Sequence, residues 1–251
     1  MRDAATRRFN LIVFDWDGTL VDSTTLIGES LQHACRELGL PVPDDAAARY
    51  VIGLGLADAM QLVAPDLPPE RYPELGARYG EHYLAREPEI PLFAGARELL
   101  AELDAAGYLL AVATGKTRAG LARSMERIGL DGVFHATRCA DEGLPKPHPD
   151  MLLHLMERLA VEPRATLMIG DTTHDLDLAQ NAGAAGLAVT YGARRSEGIA
   201  SASPEPAAGL SPMCPAGCPS PRTNPSSFPA RTAPRPSTSA GRRSGAACPR
   251  C

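Results

Sequence analysis

The stretch Asn10-Leu-Ile-Val-Phe-Asp15-Trp-Asp17-Gly18-Thr19-Leu20-Val21-Asp22-Ser23 decides the fold. Four apolar residues, Leu11 to Phe14, stop at two carboxylates one residue apart and then at Gly-Thr. A short unbroken apolar run ahead of a turn signal reads as a buried strand of a parallel sheet. Open α/β sheets bind ligands beyond the carboxyl ends of their strands, which puts Asp15 and Asp17 where chemistry is done. Alternate positions of a strand face one way, so the two side chains are expected to start on one side. Gly18 allows a sharp turn, and Thr19 is expected to bond local backbone.

Working outward, Ile27, Leu31, Ala34, Cys35 and Leu38 recur at helical spacing and end at Gly39. Residues 44–64 and about 68–86 predict further helices, broken at Ile52-Gly53-Leu54-Gly55 and at Pro65 and Pro68-Pro69. No convincing strand lies between Val21 and Pro91. A helix over Gly95–Ala106 precedes strand 108–113, which ends in Thr114-Gly115-Lys116. Helix 117–128, a weak strand 133–139, a helix to Leu159, strand 166–169, a helix to about Ala182 and strand 186–190 follow. This alternation predicts an α/β fold, a doubly wound parallel (Rossmann-like) sheet. A βαβ unit needs only about 30 residues, yet Asp15 and Thr114 are far more distant in sequence. The surplus reads as an inserted all-helical cap domain, residues 22–90, with residues 1–21 and 91–192 forming the core.

The 251 residues suffice for a sizeable core, and the net charge of −5 argues against nucleic acid or an anionic membrane surface as partner. No apolar run approaches the ~20 residues of a membrane span, and the N-terminus lacks the apolar region of a signal peptide. A cytoplasmic protein is expected. Cys35 and Cys139 then read as buried small hydrophobes. Residues 193–251 are dominated by Pro, Ser, Ala, Arg and Gly, with Leu210 the sole branched aliphatic after Ser201. Such a segment cannot bury a core, and a disordered C-terminal tail is expected. It holds Cys214, Cys218, Cys248 and Cys251, whose spacings resemble zinc ligands. An α/β domain should continue past Thr190, however, and the tail resembles out-of-frame translation, with the reading frame shifted near residues 192–200.

The chain has only two lysines, Lys116 and Lys146, among abundant arginines. A retained lysine suggests a compact ammonium that a planar guanidinium cannot replace. Both lie at strand ends, together with Asp15, Asp17, Thr114, Gly115, Asp171 and Asp175. Taken singly these are turn residues, surface charges or helix caps. Together they suit a phosphoryl group: the acids need a cation, and hard oxygen ligands with phosphate select Mg²⁺. Lys146 adds positive charge, while Thr114 and nearby N–H groups can hold phosphate oxygens. Asp171 and Asp175 share a helix face if a helix begins at 171. The six histidines show no metal-ligand spacing, so zinc chemistry is not expected.

Asp15-Trp-Asp17-Gly-Thr-Leu-Val-Asp, Ala113-Thr114-Gly115-Lys116, Lys146-Pro-His-Pro and Gly170-Asp171-Thr-Thr-His-Asp175 resemble the four ordered motifs of the haloacid dehalogenase superfamily. The resemblance covers about residues 9–192 and is to the phosphoglycolate-phosphatase-like branch with a helical cap. It implies a Mg²⁺-dependent phosphatase of a small phosphorylated metabolite. Asp15 is the implied nucleophile, forming an aspartyl phosphate, and Asp17 the implied acid and then base. Thr114, with Gly115, would bind phosphate, and Lys146 would steady Asp15 and the transferring group. The implied metal set is Asp15, the Asp17 backbone carbonyl, Asp171 and Asp175, the last as ligand or as support. Dehalogenating members lack an acid at the position of Asp17. Lys116 varies in the family, Trp16 reads as core packing, and Ile52–Gly55 resembles a closing cap loop near Arg49. A monomer or homodimer is expected. A phosphomutase with the same nucleophile, a phospho-accepting receiver and a folding-impaired product of a disrupted gene are the rival readings.

Overall fold

The computed structural model describes residues 7–193. Apart from Ala193, the tail, with its expected disorder, cysteines and shifted frame, lies outside the described residues. Strand β1 (Leu11–Phe14) is followed by four helices, α1 (Thr24–Glu37), α2 (Asp45–Tyr50), α3 (Leu56–Val63) and α4 (Tyr72–Arg86). Then come α5 (Ala96–Ala105), β2 (Leu109–Thr114), α6 (Arg118–Ile128), β3 (Ala136–Cys139), α7 (Asp150–Leu159), β4 (Thr166–Gly170), α8 (Thr173–Asn181) and β5 (Ala185–Ala188). The five strands form one parallel sheet in the order β3-β2-β1-β4-β5. This is the expected α/β class. The order reverses between β1 and β4, and such a switch point opens a crevice at the strands' carboxyl ends. Asp15 and Asp171 end those two strands.

The pleat of β1 divides the core. Ile12 and Phe14 pack with Leu100, Leu121 and Met125 of α5 and α6. Leu11 and Val13 face the other layer, with Met151, Leu155 and Leu178 of α7 and α8. All four β1 residues are buried. A strand buried on both faces explains why its sequence does not alternate. The helices after β1 have a cluster of their own, including Leu31, Cys35, Met60 and Leu75. Helix α2 starts at Asp44, whose carboxylate accepts the Ala47 N–H at 2.8 Å. Helices α2 and α3 are separated at Ile52–Gly55, where the sequence predicts a break, and Gly53 adopts φ +90° in that loop. Cys35 and Cys139 are free and buried, and Trp16, fully buried, donates from Nε1 to Ser124 Oγ at 3.0 Å. No helix among the described residues is long and apolar enough to cross a membrane.

Candidate active site

Four buried charges meet at the switch point. Lys146, delivered by the loop after β3, donates from Nζ to Asp15 Oδ1 at 2.6 Å and to Asp175 Oδ1 at 2.7 Å. Its side chain is fully buried, as are those of both partners. Asp175 lies in the first turn of α8, where its Oδ2 accepts from Thr172 N–H at 3.1 Å and from Thr172 Oγ at 2.7 Å. This reciprocal cap fixes the carboxylate that faces the lysine. Asp171 Oδ1 accepts from Thr19 Oγ1 at 3.1 Å, and Oδ2 from the Ala193 N–H at 2.6 Å. Thr19 thus serves the far strand end rather than the local backbone expected of it. Gly18 and Gly192 close around Asp171. A Cβ on either would lie 2.2 Å from Oδ2, and Gly18 also has φ +85°.

Oxygens of Asp15, Asp171 and Asp175 lie within 4.8 Å of one another, close enough to hold one ion. Asp15 Oδ2 is buried and has no hydrogen-bond partner among the described residues. Among the described residues three carboxylates face one ammonium, which leaves two negative charges uncompensated there when all are ionised. Buried charge without a partner costs several kcal/mol or is neutralised by a proton. A divalent ion held by hard oxygen donors supplies the missing balance, and the residues present fit one. Asp17 stands apart from this cluster. Its carboxylate accepts from Ser23 Oγ at 2.7 Å and pairs with Lys116 Nζ at 3.2 Å. The side chains of Asp15 and Asp17 therefore do not share a partner.

Thr114 and Gly115 end β2 beside these groups. Thr114 is fully buried, and its Oγ1 accepts the Lys116 N–H at 3.1 Å. Lys116 Nζ in turn donates to Tyr83 Oη on α4 at 2.8 Å. Ser23, Tyr83, Thr172 and Ala193 were not among the residues read as functional. Ser23 and Thr172 flank motif acids and could have been found as caps. Tyr83 and the Ala193 N–H carry no local signal, since only the folded chain brings them near.

The helical segment also meets the sheet edge at Tyr50 and at the Ile52–Gly55 loop. His174 Nε2 donates to Tyr50 O at 3.0 Å, with the two rings edge to face. A Cβ on Gly115 would lie 2.4 Å from Leu54 O and 2.7 Å from Gly53 O, so the Ile52–Gly55 loop rests on the glycine itself. Arg49 is half-buried at the end of α2. Gly115→Ala is expected to push this loop away, lowering kcat/KM by roughly 100-fold through misplacement while the melting temperature changes little. Steady-state kinetics beside a thermal melt check it.

Without metal, Asp15 and Asp171 should hold protons more readily than ordinary carboxylates. Burial raises Asp15 well above the ordinary carboxylate range, opposed by Lys146 and reinforced by Asp175 and Asp171. Burial and the Asp175 charge push Asp171 up to about 7. A carboxyl whose folded pKa exceeds its unfolded value near 4 contributes stability that is lost as pH rises through the folded value. In EDTA the melting temperature should therefore carry a downward contribution from about pH 4 to about 7. Melts of wild type and Asp171→Asn over that range check this, because the variant should show a flatter profile. Added divalent metal should flatten the wild type.

A family model described as haloacid dehalogenase-like hydrolase matches residues 12–189. The probable phosphatase IndB of Dickeya dadantii strain 3937 is 39% identical over 201 residues, 78% of this chain and 87% of that protein. A phosphoglycolate phosphatase of Vibrio cholerae is 31% identical over 209 residues, 79% of this chain and 92% of that one. A crystal structure described as a predicted phosphoglycolate phosphatase from Haemophilus somnus 129pt is similar with a TM-score of 0.69 and 27% identity, covering 79% of this chain and 93% of that chain. The match runs through both aspartate-bearing strand ends, and the chain belongs to the haloacid dehalogenase-like hydrolase family, on its phosphoglycolate-phosphatase-like branch.

Proposed function

We propose that the protein is a Mg²⁺-dependent phosphatase that hydrolyses a small phosphate monoester through an aspartyl phosphate on Asp15. The observation that carries this reading is the buried cluster of three carboxylates around one ammonium. Such a site repels a phosphate unless a cation is added, and with one it pairs a nucleophile with charge stabilisation. Asp15, Asp171 and Asp175 would hold the ion, with the Asp17 backbone carbonyl beside them. When bound, Mg²⁺ would neutralise the acids and draw charge from the phosphoryl oxygens.

The remaining steps belong to the chain's own residues. Asp15 attacks phosphorus, and the bond from phosphorus to the ester oxygen breaks. Asp17 gives that oxygen its proton, then takes one from the water that opens the aspartyl phosphate, releasing inorganic phosphate. Lys146, held on Asp15 Oδ1, keeps the nucleophile oriented and offsets charge on the transferring group. Thr114 Oγ1 and the Gly115 N–H receive phosphate oxygens. The segment 22–90 acts as a cap that covers the site through Gly53 and Leu54.

The test is phosphate release from a panel of sugar phosphates, nucleotides and phosphoglycolate. Activity should disappear in EDTA and return with Mg²⁺. Turnover that persists after metal removal would contradict the reading. Formation of a product phosphate ester only in the presence of a bisphosphate would instead identify a mutase.

A further inference from the structure

A cavity of about 220 Å³ lies between the helical segment and the sheet edge, lined by Asp17, Gly115 and Lys116 on one side. Its other walls are apolar, with Leu31, Val51, Met60 and Tyr79 among them. It adjoins Asp17, the group assigned to protonate the leaving oxygen. The volume exceeds that of the roughly 150 Å³ apolar void that takes up a benzene molecule.

The charges in its wall are already spoken for. Lys116 is bound to Asp17 and to Tyr83 Oη. Arg123 donates to Glu87, itself buried, at 2.6 Å. Burial raises the Tyr83 and Tyr79 hydroxyls above the usual tyrosine range, so both stay protonated. Lys116 and Arg123, the two basic residues in the wall, each already have a carboxylate partner, so neither brings an unneutralised charge to the cavity.

Helix α4 turns two glycines, Gly76 and Gly80, toward this space. Glycine inside a helix costs up to about 1 kcal/mol relative to alanine, so two at one-turn spacing on a cavity wall have a reason in the space they leave. A Cβ on Gly80 would meet nothing within 4 Å. Leu56 and Leu84, two more wall residues, are exposed and form an apolar rim.

We propose that the cavity receives the leaving group and selects an apolar one. Its substrate is an alkyl or aryl phosphate monoester whose alcohol carries neither a carboxylate nor several hydroxyls. This inference rests on the phosphatase reading and narrows it. Polar alcohols such as glycolate would lose hydration against the apolar walls, where a carboxylate meets no unneutralised cation, whereas a hydrocarbon group gains by leaving water.

The experiment compares benzyl phosphate with phosphoglycolate and glucose 6-phosphate, all esters of primary alcohols, and with acetyl phosphate as a small phosphoryl donor. With Mg²⁺, wild type should show kcat/KM at least about tenfold higher for benzyl phosphate than for phosphoglycolate, the effect of burying roughly two methylene groups. Gly80→Leu fills the cavity and should lower the ratio of benzyl to acetyl phosphate turnover at least about tenfold. Gly80→Ala, a better helix former that takes up less space, should lower it less and in the same direction. Faster turnover of phosphoglycolate than of benzyl phosphate overturns the proposal and leaves the phosphatase reading standing. An unchanged ratio in both Gly80 variants also overturns it. No turnover of acetyl phosphate or of any ester overturns both.

Discussion

Asp15→Asn is expected to reduce phosphate release by roughly 10⁴-fold or more, because it removes the attacking carboxylate and keeps its shape. The residue sits one position past a strand that is buried on both faces, so neither the backbone nor the side chain has room to shift. Its Oδ1 is held by Lys146 at 2.6 Å, and Oδ2 is buried without a partner among the described residues. An asparagine can present its amide oxygen to Lys146 but offers no nucleophilic oxygen. Stability should move the other way. Removing one of three crowded acids lowers the cost of burying like charges, so the melting temperature without metal should be unchanged or higher. Phosphate release and a thermal melt on the same preparation separate the two effects. A variant that keeps substantial turnover would mean that another group attacks phosphorus. A variant that fails only because it unfolds would show a large drop in melting temperature instead.

Lys146→Met should have the largest effect on folding. Methionine matches the length of the lysine stem, so packing survives while the charge is lost. Asp15 and Asp175 would each lose a hydrogen bond under 2.8 Å, and all three acids would remain buried. Breaking a buried ion pair from one side costs on the order of 3–5 kcal/mol. Burial alone would lower the pKa of Lys146, but Asp15 and Asp175 hold it above the ordinary lysine range, so the charge is present at neutral pH. The loss should be greatest near neutrality and smaller toward pH 5, where Asp15 and Asp171 accept protons in the folded state. Urea unfolding of the metal-free variant at both pH values measures this. Added Mg²⁺ should recover part of the stability, while activity stays at least about 100-fold down for want of the charge near the transferring group. Equal stability of variant and wild type at neutral pH would show that the lysine does not balance these acids.

Much of the candidate site was legible because its residues sit at strand ends. The apolar runs at Leu11–Phe14, Leu109–Ala113 and Thr166–Ile169 are long enough to identify strands, and a parallel sheet gathers their carboxyl ends at one edge. Asp15, Thr114 and Asp171 could thus be collected before any distance was known. Lys146 was legible for a different reason, as one of two lysines in a chain that otherwise uses arginine. The pairing of Asp17 with Ser23 and Lys116 was not legible in the same way, because it depends on the fold beyond the strand end.

What the sequence by itself determined was the class of fold, the order of its elements and the set of groups brought to one edge, since these follow from local periodicity and from the rule that parallel strands share a direction. Only the tertiary structure decided how those groups divide. Lys146 balances Asp15 and Asp175, whereas Lys116 joins Asp17 to Tyr83 on α4. It also decided that the Ala193 N–H completes Asp171 and that Gly76 and Gly80 open a cavity beside Asp17. These contacts join residues far apart in the chain, and their energies depend on burial and distance, neither of which a local pattern encodes.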